Sequence, residues 1–98
     1  MQSLMRAFRK PATLLGLVLL IMFVIAACSS AIDANNKGDI YYNLGQYERA
    51  IQEYDEAIRI YPEYGHAYHS RGHAYEAMGK PAEAAKDFAK AKELNYVE

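Results

Sequence analysis

Three histidines, His66, His69 and His73, are the residues of this sequence whose spacing could support chemistry. Steps of three and four residues place them along one stripe of a helix. A pair four residues apart can share a metal ion, but no glutamate follows His69 and no third ligand is assured. Imidazoles also titrate near neutral pH. We interpret the stripe as a polar lining that hydrogen-bonds a peptide or partner, with metal binding and pH sensing as alternatives.

Side-chain combinations typical of catalysis are missing from the sequence. It has no glycine-rich phosphate loop and a single cysteine, Cys28. Ser70 directly follows His69, but neighbours on a helix point to different faces, so this histidine cannot act as its base. We therefore expect no catalytic residue, no enzymatic activity and no cofactor.

Cys28 ends an apolar segment. Residues 12–27 are almost wholly apolar, and they follow three basic residues, Arg6, Arg9 and Lys10. As a helix, this run measures roughly 24 Å, which is shorter than the ~30 Å hydrocarbon core of a bilayer. Its length and basic flank favour a secretory signal over a stable membrane span.

The residues before this cysteine, Ile25-Ala26-Ala27, include the small side chains that signal peptidases prefer. With Cys28 directly after them, the segment resembles the lipobox of bacterial lipoproteins. The resemblance implies that residues 1–27 are a cleaved signal peptide, that Cys28 carries acyl chains such as palmitate, and that residues 28–30 form a short lipidated tether. The basic flank would stay in the cytoplasm, which places the rest in the cell envelope. An uncleaved signal anchor and an inert thiol are the alternatives.

The charge of the remaining chain argues against nucleic acid as a partner. Residues 1–27 carry three of the 11 basic residues, so the rest has 8 basic and 12 acidic residues and a net charge of about −4. Binding to nucleic acid depends on basic residues that neutralise phosphates. We expect no nucleic-acid partner.

The segment after the tether repeats itself with a period of 34 residues. Small and aromatic residues recur at this offset: Gly38 and Gly72, Tyr41 and Tyr75, Gly45 and Gly79, Ala50 and Ala84, Ala57 and Ala91. Periods in this range indicate repeat architectures. The sequence therefore predicts two copies of one helical hairpin, residues 31–64 and 65–98.

Glycine and proline predict where the helices end. Gly45 and Gly79 suit the left-handed position that closes a helix, and Pro62 excludes helix at the residue before it. Pro81 suits the first turn of a helix. We expect helices at about 32–44, 47–60, 66–78 and 81–94.

Both copies resemble the tetratricopeptide repeat (TPR). The residues that carry the resemblance are Gly38, Tyr41, Ala50, Tyr54, Ala57 and Pro62 in the first copy, and Gly72, Tyr75, Ala84, Phe88 and Ala91 in the second. The resemblance implies an all-α fold, an α-α superhelix of two helix-turn-helix repeats after an N-terminal apolar signal helix. Two positions depart from the family pattern, because Tyr96 replaces a proline and Ala34 replaces a large residue.

The resemblance also implies a concave groove lined by the first helix of each repeat. Its residues here are Asn35, Asp39, Tyr42, Asn43, His66, His69 and His73. They lack the lysine and asparagine pattern that binds C-terminal carboxylates in some family members. We expect an interaction adaptor for a protein or peptide partner, held at a membrane through Cys28. The alternative is a structural subunit that forms homo-oligomers by stacking its repeats.

Overall fold

Four helices form the part of the chain that the computed structural model describes, residues 2–96, with side chains described from residue 13. They are α1 (Gln2–Asn43), α2 (Tyr47–Ile60), α3 (Gly65–Ala77) and α4 (Pro81–Glu93). Residues 2–96 contain no strand, which confirms the all-α prediction. The helices run up and down in sequence order, so that each packs against the next.

The first helix is longer than predicted. We expected a helix to begin near residue 32, after a short tether, but α1 runs unbroken through residues 28–30. No glycine or proline lies between Gly16 and Gly38, so nothing interrupts the backbone hydrogen bonds where the composition changes from apolar to polar. The apolar segment and the first helix of the first repeat therefore form one continuous helix. The continuous helix belongs to the full chain, so cleavage before Cys28 stays a prediction.

The N-terminal half of α1 is exposed and apolar. Its large side chains from Leu14 to Ile25 are all at least half exposed. By length and composition, one helix of the described residues, Thr13–Asn43, could cross a membrane, a criterion that signal sequences also meet.

The same turn closes three of the helices. Gly45 has a φ of 73°, and the amide of Gln46 donates to the carbonyl of Tyr41 at 2.8 Å. Gly79 repeats this arrangement at the end of α3, and Asn95 adopts a φ of 60° after α4. Glycine and asparagine tolerate the left-handed conformation that this closure needs, as the sequence predicted for the two glycines.

Small residues let the helices of each hairpin approach closely. A Cβ atom on Gly38 would overlap the ring of Tyr54, and one on Gly72 would lie 2.6 Å from Cε1 of Phe88. Alanines make up most of the remaining core, namely Ala31, Ala34, Ala50, Ala57, Ala67, Ala74, Ala84 and Ala91. Tyr54 is 1% exposed because α3 covers it, whereas Phe88 is only half-buried. The two aromatic rings occupy equivalent places, but only the first lies between two repeats.

A single arginine connects three helices. Arg71 of α3 donates two hydrogen bonds to the carboxylate of Asp87 in α4, at 2.8 and 2.7 Å, and a third to Asp55 of α2 at 2.7 Å. The bonds to Asp87 raise the pKa of the guanidinium, against the opposing effect of burial. Bidentate pairing also fixes the relative orientation of both groups. We call Arg71, Asp55 and Asp87 the inter-repeat clasp, since they fix how the second hairpin sits on the first.

We expect Gly38→Ala to reduce the free energy of unfolding by about 1–3 kcal/mol, because the new methyl group overpacks the buried Tyr54 ring. Gly72→Ala is the matched variant and should cost less, since Phe88 is half-buried and its ring can move. Urea unfolding of the full chain in detergent, followed by circular dichroism, measures both losses. Equal losses would show that Phe88 is held as firmly as Tyr54.

Candidate protein-binding groove

A cleft of about 310 Å³ lies between the first helices of the two repeats. Asp39 and Tyr42 of α1 line one side, Ser70 and His73 of α3 line the other, and Tyr54 of α2 closes the base. We call these five residues the groove. The close approach of α1 and α2 at Gly38 positions Tyr54 there, since the ring fills the space beside that glycine.

The carboxylate of Asp39 is the charged group of the groove. It accepts a 2.6 Å hydrogen bond from the hydroxyl of Tyr54 and a 3.4 Å bond from Nδ2 of Asn35. A carboxylate has about four acceptor positions, so two such bonds orient the group and leave room for donors of a ligand. Asp39 can therefore accept hydrogen bonds from a bound segment without moving.

Burial and the bond to Asp39 both raise the pKa of Tyr54 well above its ordinary value. Burial is the larger cause, and the negative charge of Asp39 acts in the same direction. The Tyr54 hydroxyl therefore keeps its proton and acts as a fixed donor at the base of the groove. Burial likewise raises the pKa of Tyr64, with a smaller effect from Asp39.

The predicted groove residues of the first repeat have different environments. Asp39 and Tyr42 line the cleft, and the Tyr42 ring packs edge-on against Tyr47, with centroids 5.3 Å apart. Asn43 is exposed at the end of α1 but does not line the cleft. Asn35 is 1% exposed, so it supports Asp39 from within the core and cannot itself touch a partner.

The histidine stripe of α3 divides between two environments. His66 pairs through Nδ1 with the hydroxyl of Tyr96 at 2.8 Å. The rings of His69 and His73 meet at 4.6 Å between centroids, and both lie against Phe88, at 5.4 and 5.0 Å. Only His73 also lines the cleft. The stripe therefore mainly covers the aromatic side chains of the second hairpin, Phe88 and Tyr96.

Metal binding by the stripe finds no support in this geometry. Among the side chains that the structure describes, no group of three or more His, Cys, Asp or Glu could hold a metal ion. His73 instead contacts Glu76, with Nδ1 and Oε1 3.1 Å apart.

Two groove residues were missed by the sequence reasoning. The repeat pattern predicts Tyr54 as a core residue, whereas in the structure its hydroxyl also reaches Asp39. Ser70 was not identified as a groove residue at all. A signal for it exists, because Ser70 lies three residues after Ala67 and four before Ala74, on the stripe that packs against α2. A small polar residue on a buried helical stripe indicates a polar pocket at that contact.

Comparison with known families agrees with the repeated helical hairpins of the fold. A family model described as "TPR repeat" matches residues 38–79, and one described as "Tetratricopeptide repeat" matches residues 65–96. The chain belongs to the tetratricopeptide repeat family. It is a TPR protein with two motifs, as the repeated residues predicted. No curated protein is significantly similar to it.

The TPR fold is also that of two similar crystal structures, both of MamA. Each is 38% identical to this chain and covers 66% of it, with TM-scores of 0.64 and 0.63. The matched part is 38% of one MamA chain and 36% of the other. This TPR protein thus spans little more than a third of the MamA chains that it matches.

Replacing Tyr54 with Phe should destabilise the TPR domain by roughly 1.5–3 kcal/mol at pH 7, because a hydrogen bond to a charged group is lost. The folded state raises the pKa of this phenol, so its contribution is complete below pH 10 and declines as the pH rises further. Between pH 7 and pH 10.5, the free energy of unfolding of Tyr54→Phe should therefore fall by less than that of the wild type. Urea unfolding at pH 7 and pH 10.5 measures both effects.

The control for that experiment is Tyr61→Phe, which removes a hydroxyl from an exposed ring outside the groove. It should leave stability at pH 7 unchanged. An equal loss in both variants would contradict a specific role for the Tyr54–Asp39 bond.

Proposed function

We propose that this protein is a membrane-tethered TPR adaptor that binds a protein or peptide segment in the groove. The observation that carries the proposal is the Asp39 carboxylate, oriented by Tyr54 and accessible between the first helices of two TPR motifs. Proteins built from such repeats present concave surfaces for binding. A polar cleft on this scaffold fits recognition of a partner, because its hydroxyl, imidazole and carboxylate groups offer hydrogen-bond donors and acceptors to a bound segment.

The chemistry of the groove favours a partner rich in hydrogen-bond donors. Asp39 accepts hydrogen bonds, and the hydroxyls of Tyr42 and Ser70 can donate or accept. The net charge of about −4 outside residues 1–27 attracts basic segments. An extended segment with a lysine or arginine opposite Asp39 would satisfy these groups.

The tether is proposed to be lipid. Cys28 follows the apolar part of α1 and is half-buried, and the sequence before it resembles a lipobox. Two or more acyl chains on this cysteine, carried through a glyceryl group on its sulfur and on its α-amino group, would hold the domain firmly, since one chain binds membranes only marginally. The repeats would then lie in the cell envelope, outside the cytoplasm, because the basic N-terminal flank stays inside.

A second candidate function is a structural subunit that stacks end to end. The observation in its favour is the exposure of Ile40 and Leu44 on α1, at 58% and 64%. Against head-to-tail stacking stands the inter-repeat clasp. In a head-to-tail stack, the first repeat of one copy would follow the second repeat of another. Lys37 would then stand in the place of Arg71 and face Ala89, which stands in the place of Asp55, so the ion pair between these two positions cannot form.

The groove can be tested with a photo-crosslinking phenylalanine analogue at Tyr42, in native membranes. We expect a discrete adduct, because this side chain lines the cleft, and we expect Asp39→Asn in the same chain to reduce the adduct at least fivefold. Gln52, on the exposed face of α2, is the matched control position and should give no adduct.

Adducts of equal yield from Tyr42 and Gln52 would contradict binding in the groove. An adduct of twice the mass of the chain would identify the stacking subunit instead.

The lipid tether predicts a mass increase on Cys28. Mass spectrometry of protein extracted from native membranes should show a chain that begins at residue 28 and carries acyl chains. Cys28→Ser should keep residues 1–27 and lose the added mass, because serine supplies no thiol. An unmodified Cys28 within the full chain would show that the apolar helix itself is the anchor.

A further inference from the structure

The four helices run alternately up and down, so the turns between them lie at two opposite ends of the helical array. The turn between α2 and α3, residues 61–64, and the end of α4 lie at the same end as Cys28. A Cβ atom on Gly65, the first residue of α3, would lie 3.5 Å from that of Leu94, which places the end of α4 there. The turns at residues 44–46 and 78–80 lie at the opposite end. The apolar part of α1 therefore leaves the array from the end that holds residues 61–64.

Aromatic and aliphatic side chains meet at that end. Ile32 of α1, with Tyr61 and Tyr64 of the following turn, lines an apolar cleft of about 100 Å³ together with Ala31 and Cys28. Ile32 is 46% exposed and Tyr61 is 38% exposed. The two tyrosine rings stack with centroids 6.1 Å apart. We call Ile32, Tyr61 and Tyr64 the proximal face.

The length of α1 sets the height of this face relative to a membrane. Residues 11–32 carry no charged side chain and measure about 33 Å as a helix, close to the ~30 Å hydrocarbon core. The first charged residue, Asp33, follows Ile32 directly. Because α1 continues unbroken into the repeat, insertion of residues 11–32 into a bilayer would hold the proximal face at the level where the hydrocarbon ends. An acyl anchor on Cys28 would place it at the same level.

We propose that the proximal face is a membrane-contact surface that rests on the lipid–water interface, with Tyr61 between the headgroups. The inference rests on the membrane tether of the proposed function. Tyrosine suits this position because its ring is apolar and its hydroxyl stays wet. The nearest exposed arginine, Arg59, is paired with Glu56 at 2.6 Å, and Glu63 adds a negative charge. Zwitterionic phospholipid therefore fits this surface better than anionic lipid.

This contact orients the groove. Helices α1 and α3 stand along the membrane normal, so the cleft between them opens sideways, parallel to the membrane surface. The turns at residues 44–46 and 78–80 point away from the bilayer. A partner would thus be bound beside the domain rather than above it.

The chain contains no tryptophan, so a single introduced tryptophan reports its own depth. The full chain carrying Tyr61→Trp is reconstituted in phosphatidylcholine vesicles that contain lipid with a nitroxide at the headgroup. We expect at least twofold quenching of Trp fluorescence. Tyr47→Trp, about 21 Å away along α2, is the matched control and should be quenched by less than a fifth.

The result separates this proposal from the tether on which it rests. If the protein does not float with the vesicles, the membrane tether fails. If it floats and both tryptophans are quenched equally little, the tether stands and the membrane contact is overturned. Ile32→Trp, on the same face, repeats the measurement should Tyr61→Trp lose its helical circular dichroism. Shielding of either proximal tryptophan from acrylamide without nitroxide quenching would indicate a protein contact instead, and would also overturn the proposal.

Discussion

The packing of Tyr54 beside Gly38 is the contact on which the rest of the domain depends. The ring fills the volume that any side chain at residue 38 would occupy, so α1 and α2 can approach closely. The core around it consists mainly of alanines, which bury little apolar area each. One large buried side chain therefore contributes much of the packing in the first hairpin. Its hydroxyl also orients Asp39, which means that the same residue holds the fold together and forms the base of the groove.

The second hairpin shows what happens where no further repeat follows within the described residues. Phe88 takes the place of Tyr54, and histidines rather than a third hairpin lie against it. His69 and His73 can serve this purpose because imidazole is flat enough to pack on a ring and polar enough to face water. The stripe thus has a packing role that its spacing alone did not reveal. The inter-repeat clasp, by contrast, belongs to the junction between the repeats, because Lys37 takes the place of Arg71 in the first repeat and Ala89 takes the place of Asp55 in the second.

The unbroken first helix joins two regions of very different composition. Exposed leucines and isoleucines precede residue 28, and a polar repeat begins within a single turn of it. A rigid connection of this kind transmits orientation, since the helix has no glycine or proline between Gly16 and Gly38 and such a stretch bends little. Within the unprocessed chain, α1 therefore fixes how the groove and the proximal face are oriented relative to the apolar segment. The proposed adaptor would thus have both its position and its direction set by α1.

The sequence by itself determined the fold class, the two TPR motifs and most helix ends. The predicted helix at 47–60 matches α2, and α3 and α4 differ from their predictions by one residue. These features are local, because Gly45, Gly79 and Pro62 act on the backbone within a few residues. The start of α1 differs from the prediction, because the lipobox resemblance implies a short tether at residues 28–30, where the helix in fact continues.

Only the tertiary structure decided which polar groups meet. The hydroxyl of Tyr54 reaches a carboxylate 15 residues away, and His66 meets a tyrosine 30 residues away. Asn35, predicted to line the groove, is buried beneath it, while Ser70 lines the cleft without having been predicted. Such pairings depend on the separation and rotation of packed helices, which are set by the sum of many small contacts and cannot be read from spacing along one helix.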